Sequence, residues 1–295
     1  MVQLRFDTKA MTHAGRSLAT CCSVVVLSAC QSLADLNIDY VCLDPPTPYI
    51  EGFDGAPAER MATFLKDRCW RVEAADIHSD DSDLKLEAES NLVSERSWRE
   101  DPPRLVRRVA GDFVLIAQAE TADGGAGDFC KLRDGDAAGI VVRSVGSEPA
   151  SLAAVTVDPD YESVAADPAT DCIDAPATSP PARVHVFADG REFEPTLGVG
   201  EDGEAEIAVC RRGGNLWVFY LDREAYLSGT EATPWQEAGS ISTIGEDPVD
   251  VGLVTTLSAT GSANNVQGSF NWLAFDTFVS ECGSYLQEFV VPEAF

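Results

Sequence analysis

Two glutamates, Glu204 and Glu206, alternate along a stretch that reads as a strand, so both carboxylates can face one cleft. Paired carboxylates cleave glycosidic bonds when they stand about 5 Å apart (retaining) or about 6.5–9.5 Å apart (inverting). In a chain with 49 acidic residues such pairs also arise by chance, and a solvated acidic edge is the reading the composition favours. His78 and His185 are the histidines of the body, and neither sits near a Gly-x-Ser-x-Gly nucleophile elbow. His185 lies within Arg183-Val184-His185-Val186-Phe187, a strand pattern, and reads as structural; His78, beside Ser79-Asp80-Asp81, reads as an exposed loop residue. Catalytic residues are therefore not assigned. Non-covalent recognition has better candidates. Aromatic faces with nearby charged groups suit sugars, whose rings stack and whose hydroxyls need partners. Trp98 stands in Ser97-Trp98-Arg99-Glu100-Asp101, polar company for a core residue, and Trp235 follows Pro234 in an expected loop. Arg143 ends an apolar strand and can reach a carboxylate or hydroxyls on a concave face. The alternatives are packing for the tryptophans and an ion pair for Arg143. Glu51, Asp54 and Asp276 offer hard oxygen ligands for a structural calcium if the first and last strands pair, whereas charged solvated turns explain the remaining acidic runs. No organic cofactor is expected.

The residue best placed for covalent chemistry is Cys30. Arg5, Lys9 and Arg16 precede an apolar stretch, Leu18 to Ala29, too short to span a bilayer as a mature helix. It ends in Leu27-Ser28-Ala29-Cys30, which resembles the bacterial lipobox: a branched apolar residue, two small ones, then the lipidated cysteine. Small side chains admit the backbone to a peptidase cleft, and the thiol accepts a diacylglyceryl group. Two or three acyl chains, at about 0.8 kcal/mol per buried methylene, hold far more firmly than one. The expectation is a lipoprotein signal peptide over 1–29, a tether over 30–48 and one domain over 49–295. Gln31 after the cysteine points to the outer membrane of a bacterial envelope. A plain secretory signal is the alternative.

Six cysteines remain once the signal and Cys30 are set aside: Cys42, Cys69, Cys130, Cys172, Cys210 and Cys282. Outside the cytosol an even count points to disulfides, and the absence of any C-x-x-C pair argues against zinc. Six cysteines allow 15 connectivities. The expected pairing is Cys130–Cys172 across a loop-rich excursion and Cys42–Cys282 joining the ends, which leaves Cys69–Cys210.

The net charge of −28 repels phosphate backbones and anionic lipid heads, so nucleic acid is excluded as a partner and membrane contact is expected through the lipid alone. Gln31 to Pro48 closes on Pro-Pro-Thr-Pro, stiff and unsuited to a central strand. Beyond it, the pattern is of short strands and turns. Ala58 to Phe64 suits one short helix; Asp83 to Ala88 alternates at period two; Gly111 to Ala119 and Gly139 to Arg143 are rich in β-formers. Pro149 to Pro181 reads as surface loops around one strand near Ala153 to Val157. Ile207 to Leu221 carries the sharpest local signal, because Gly213-Gly214 between two β-rich runs suits a type I′ hairpin. That turn places Cys210 opposite Trp217 and Val209 opposite Val218, with both faces apolar, so the hairpin is central. Trp70, Trp217 and Trp272 lie in β-patterned runs and read as core. Val249 to Leu257 and Ser269 to Val279 supply the last strands, and the whole points to a sandwich or barrel.

Several pieces occur in the order seen in concanavalin A-like jelly rolls of the "regulation of enolase" type. Trp70-Arg71-Val72 resembles an early W-x-V strand, Leu105 to Phe113 a V-x-GDF strand entry and Ala138 to Arg143 an AGLMVR strand. Asn215 to Leu221 resembles N-x-F-x-A-Y, Trp235 with Gly239-Ser240 a late W-x-x-x-GS, Val251-Gly252-Leu253 a VGL, and Phe275 to Phe278 a closing FDNF. The likeness runs over about residues 50 to 280, most of the body. One departure is clear: the family often has Ser-x-Asp-Gly before its late Trp, whereas Asp222 here leads into Arg-Glu-Ala-Tyr-Leu-Ser-Gly. The resemblance implies an all-β, two-sheet antiparallel sandwich and, loosely, sugar binding without a defined reaction. Glu201 to Glu206 lacks the Glu-x-Asp-x-x-Glu order of retaining glucanases with this fold. The expectation is a surface-anchored, carbohydrate-binding lipoprotein. An envelope protein that holds a protein partner is the main alternative, and a glycoside hydrolase the lesser one.

Overall fold

The computed structural model describes residues 48–53, 58–73, 76–79, 83–88, 104–123, 136–145, 152–159, 182–188, 191–192, 196–199, 203–229, 234–241, 244, 248–256 and 266–292. All belong to one compact unit, Val41–Phe295. Cys30, the signal and most of the tether lie outside the described residues, as do Asp54, Trp98, Cys42, Cys130 and Cys172.

Among the described residues, two antiparallel sheets of eight strands each make the body. The first contains β1 (Tyr49–Gly52), β3 (Asp76–Ser79), β4 (Leu84–Ala88), β6 (Phe113–Asp123), β12 (Glu204–Arg212), β13 (Asn215–Leu221), β14 (Trp235–Ile241) and β16 (Val266–Asp276). Its order is β14-β13-β12-β6-β16-β4-β3, with β1 paired to β16. The second contains β2 (Arg71–Glu73), β5 (Arg104–Val109), β7 (Ala137–Ser144), β8 (Leu152–Pro159), β9 (Ala182–Ala188), β10 (Arg191–Glu192), β11 (Thr196–Val199) and β15 (Val249–Thr256). It runs β10-β9-β8-β7-β15-β5-β2, with β11 also on β9. The chain crosses between sheets on either side of β2, at β4 to β5, β5 to β6 and β6 to β7, at β11 to β12, and again on either side of β15. This repeated crossing makes the expected jelly-roll sandwich. Among the described residues three short helices complete it: α1 (Ala58–Asp67), α2 (Arg223–Ser228) and α3 (Cys282–Glu288).

Side-chain alternation explains the layering. Leu115, Ala117 and Ala119 of β6 face Ile140 and Val142 of β7 and Val251 and Leu253 of β15 through one core, all buried. The hairpin at Gly213-Gly214 is present with both glycines at positive φ (56° and 84°), and its register pairs Cys210 with Trp217 and Val209 with Val218. It lies inside the first sheet, with β6 on one flank and β14 on the other. In the second sheet Gly252 brings backbones close. A Cβ there would lie 1.9 Å from the Leu105 carbonyl oxygen, so no larger residue fits without moving β5.

Candidate functional site

Each sheet has one face on the shared core and one face turned outward, and the two outer faces differ in kind. On the first sheet the outward residues of β6, β12, β13, β14 and β16 form a second apolar cluster. It holds Val114, Ile116, Ala208, Cys210, Phe219, Leu221, Trp235, Trp272 and Ala274. Helix α3 closes it: Cys282 and Leu286 are buried there, and Trp272 stacks on Phe289 with ring centroids 6.0 Å apart. A disulfide joins Cys282 of α3 to Cys210 of β12. This face is a core, not a ligand surface.

Glu206 sits at the margin of that cluster. Its side chain is buried, paired with Arg223 at the start of α2, and its Oε2 lacks a hydrogen-bond partner. Burial pushes its carboxyl above the usual range although Arg223 opposes the shift. Glu204 shares the outward face of β12 and accepts from Gln118 Nε2 at 2.8 Å. The solvated acidic edge read from the sequence is thus corrected for Glu206, which the Arg223 of the following helix seals against water. That helix, Arg223–Ser228, follows directly on β13. Asp222 caps it by accepting from Ala225 N at 2.9 Å, and Gly229 ends it at φ 60°.

The outward face of the second sheet carries charge. Arg108, Asp250 and Arg143 are directly opposite one another on the neighbouring strands β5, β15 and β7. Asp250 lies between Val249 and Val251, both inward, so it points out of the sandwich. Its Oδ1 accepts from Arg108 Nε at 2.9 Å and from Arg71 Nη2 at 3.1 Å; its Oδ2 accepts from Arg108 Nη2 at 3.2 Å and from Arg143 Nη2 at 3.2 Å. One carboxylate thus joins three guanidiniums from three strands. Burial works to raise the Asp250 pKa, but the hydrogen bonds and charges of Arg108, Arg143 and Arg71 together hold it below the usual carboxylate value. Arg108 is buried, whereas the side chains of Arg143 and Arg71 keep 30% and 35% of their surface exposed. Two strands away, Asp158 of β8 accepts from Arg183 Nε and Nη2 at 3.2 and 2.7 Å, with His185 Nε2 3.0 Å off. His185 is therefore a strand residue beside the Asp158–Arg183 pair, as its strand pattern suggests. Val106, Val141, Val254 and Ala154, all buried, fill the same face between the two groups.

Of the sequence candidates, the structure brings Arg143 into this constellation, where the alternative reading of an ion pair is the observed one. Trp235 departs from expectation. It is the first residue of β14, not a loop residue, and is 6% exposed against the second cluster, with its Nε1 unbonded. His78 falls on β3 in place of a loop. Trp70 and Trp272 are core, while Trp217 is half-buried. Of the expected calcium set, Asp54 lies outside the described residues, and the two that are described, Glu51 and Asp276, stand on opposite faces of the sheet. β1 does pair with β16, but the register sets Glu51 opposite Leu273, on the inward face, whereas Asp276 opposes Val114 on the outward face. Glu51 instead pairs with Arg60 at 2.9 Å, and Asp276 Oδ1 accepts from Phe278 N at 2.8 Å. The disulfide expectation is corrected too. Cys210–Cys282 replaces both Cys42–Cys282 and Cys69–Cys210, because α3 folds back over the outward face of β12, and Cys69 is itself disulfide-bonded. Sequence reasoning missed Arg71, Arg108 and Asp250 as a group. The available signal was an acid at the centre of an otherwise apolar strand, Val249-Asp250-Val251, alongside the Arg107-Arg108 and Arg143 strand pattern.

No protein-family model matches the sequence. No curated protein matches it. Among solved structures, a functionally unknown protein from Saccharomyces cerevisiae is similar at 11% identity and a TM-score of 0.44, over 72% of this chain and 96% of that one. A xylan β-1,4-xylosidase from Bacillus halodurans C-125 is similar at 13% identity and 0.46, over 78% of this chain and 39% of that one. A lectin, UEA-II complexed with galactose, is similar at 9% identity and 0.43, over 79% and 99% of the two chains.

Proposed function

We propose that this chain is a non-catalytic, carbohydrate-binding jelly roll of the concanavalin A-like "regulation of enolase" type, exported and held to a bacterial envelope by lipid on Cys30. The observation that supports a binding role is the three-arginine constellation on Asp250. Arg143 and Arg71 are pinned at one end yet partly open to solvent, so their N–H groups are oriented before a ligand arrives. Pre-oriented donors lose little conformational entropy on binding, which favours recognition of hydroxyl-rich ligands. The resemblance in ordered sequence pieces supports the same reading, and the lipobox-like Leu27 to Cys30 supports the anchor.

Glycan-array screening of the mature chain tests it. The wild type is expected to bind a defined glycan, and Arg143→Ala to weaken that binding about tenfold, the worth of roughly one charge-assisted hydrogen bond, with the thermal midpoint little changed. Trp98→Ala is the companion variant. Failure of the wild type to bind any glycan rejects the reading. For the anchor, labelled palmitate is expected to enter the wild type and not Cys30→Ala.

A further inference from the structure

One buried cation stands apart from the others. Arg107 of β5 points the opposite way from Arg108, into the sandwich: its register partner Val251 belongs to the shared core. It is 2% exposed, and its Cζ lies 4.7 Å from the centre of the Phe275 ring. Its Nε and Nη1 are buried without a hydrogen-bond partner. The polar group beside it is the Tyr49 hydroxyl, which already accepts from Trp70 Nε1 at 2.9 Å. On the face of the same Tyr49 ring sits a second guanidinium, that of half-buried Arg68, with Cζ 4.4 Å from the centroid. Two cations thus flank one phenol at this end of the sandwich. Among the described residues neither has a carboxylate partner, whereas Arg108 and Arg183 are met by Asp250 and Asp158.

Physics makes this arrangement incomplete. A guanidinium cannot shed its charge within a protein, so burial must be met by a counter-charge or by a large desolvation cost. Tyr49 does not supply that charge, because burial pushes its hydroxyl pKa up despite the neighbouring arginines, which keeps it neutral near pH 7. A cation over an aromatic face recovers only part of what water gave. The walls are apolar: Phe275 stacks on Phe113, and Tyr49 and Phe64 meet edge to face. Such walls suit an anion that gives up its hydration readily.

We propose that Arg107, with Arg68 and Tyr49, forms an interior site for a small, weakly hydrated monovalent anion of the chloride and bromide type. The anion accepts from Arg107 Nε and Nη1 and neutralises the pair of guanidiniums. Fluoride, whose hydration is costlier to strip, is excluded by the same walls. This site is separate from the Asp250 constellation on the outward face and does not depend on any glycan role.

Thermal unfolding of the full mature chain in sodium chloride, bromide, fluoride and gluconate, at equal ionic strength, is the test. Equal ionic strength removes the general screening that any salt gives a protein of this charge. Chloride and bromide are expected to raise the midpoint by roughly 3–5 °C over fluoride and gluconate at about tenfold saturation. Arg107→Met is expected to abolish that difference, and Arg107→Lys to retain part of it. Should Arg107→Met fail to fold, bromide-soaked crystals of the wild type decide by anomalous scattering. A peak in contact with the Arg107 guanidinium supports the site; water alone there, or equal midpoints in all four salts, overturns it.

Discussion

Asp250→Ala is expected to lower the stability of the fold by about 3–5 kcal/mol, because it withdraws a carboxylate that is 2% exposed and shared by three guanidiniums. For a domain of this size that corresponds to a fall of roughly 10 °C in the unfolding midpoint. The loss arises from leaving a hydrogen-bonded, desolvated cluster without its centre rather than from any lost surface ion pair, which is worth little. Asp250→Asn keeps the shape and removes the charge, so it separates packing from electrostatics: most of the loss is expected to remain. The pH dependence follows from the direction of the shift. Asp250 has a folded-state pKa below its unfolded value, so its contribution is fully present above about pH 4 and is lost as pH falls through the lower folded value. The acid limb of a stability–pH curve is therefore expected to be shallower in Asp250→Asn than in the wild type. A variant with wild-type midpoint at pH 7 would show that the constellation is solvated and energetically idle.

Cys282→Ser is the second large effect. Cys210–Cys282 closes a loop with a sequence separation of 72, for which chain-entropy reasoning gives about 4 kcal/mol, and measured native disulfides give about 2–5 kcal/mol. The bond also clamps α3 onto the second cluster, where the helix has only seven residues and could not persist alone. Denaturant titration is expected to show a loss of about 2–4 kcal/mol, with Trp272 emission shifting red as Phe289 leaves its face. Cys210→Ser/Cys282→Ser together should match the single variant, since one bond is removed in either case. Reducing agent should cost the wild type at least as much, since it also opens the bond made by Cys69. A midpoint unchanged on reduction would mean that α3 docks by packing alone.

Much of the framework was legible because it is local. The Gly213-Gly214 turn requires positive φ at both positions, which leaves one register for the hairpin; Cys210 opposite Trp217 follows without any tertiary information. Alternation placed β4, richness in β-formers placed β6 and β7, and the strand pattern around His185 placed β9, each to within a few residues, and the helix Ala58–Asp67 began where its pattern suggested. Arg143 was singled out because a long cation at the end of an apolar strand must emerge somewhere. Two of the errors share one cause. The burial of Glu206 and the pairing of Cys210 with Cys282 depend on what covers the outward face of the first sheet. Periodicity states that a residue faces outward; it does not state whether a helix from elsewhere in the chain then closes over it.

Beyond the two-layer sandwich, which only the family resemblance implied, the sequence by itself determined the strand-and-turn character, the central hairpin and the strong acidity. These follow from side-chain period, glycine conformation and net charge, all properties of near neighbours or of composition. Only the tertiary structure decided that α3 would be bonded to β12, that Asp250 would gather arginines from three strands, and that Arg107 would turn into the core. Those outcomes join residues far apart in the chain, 72 positions for Cys210 and Cys282 and more than a hundred for Asp250 and its arginines, through strand order and register, which no short window of sequence encodes.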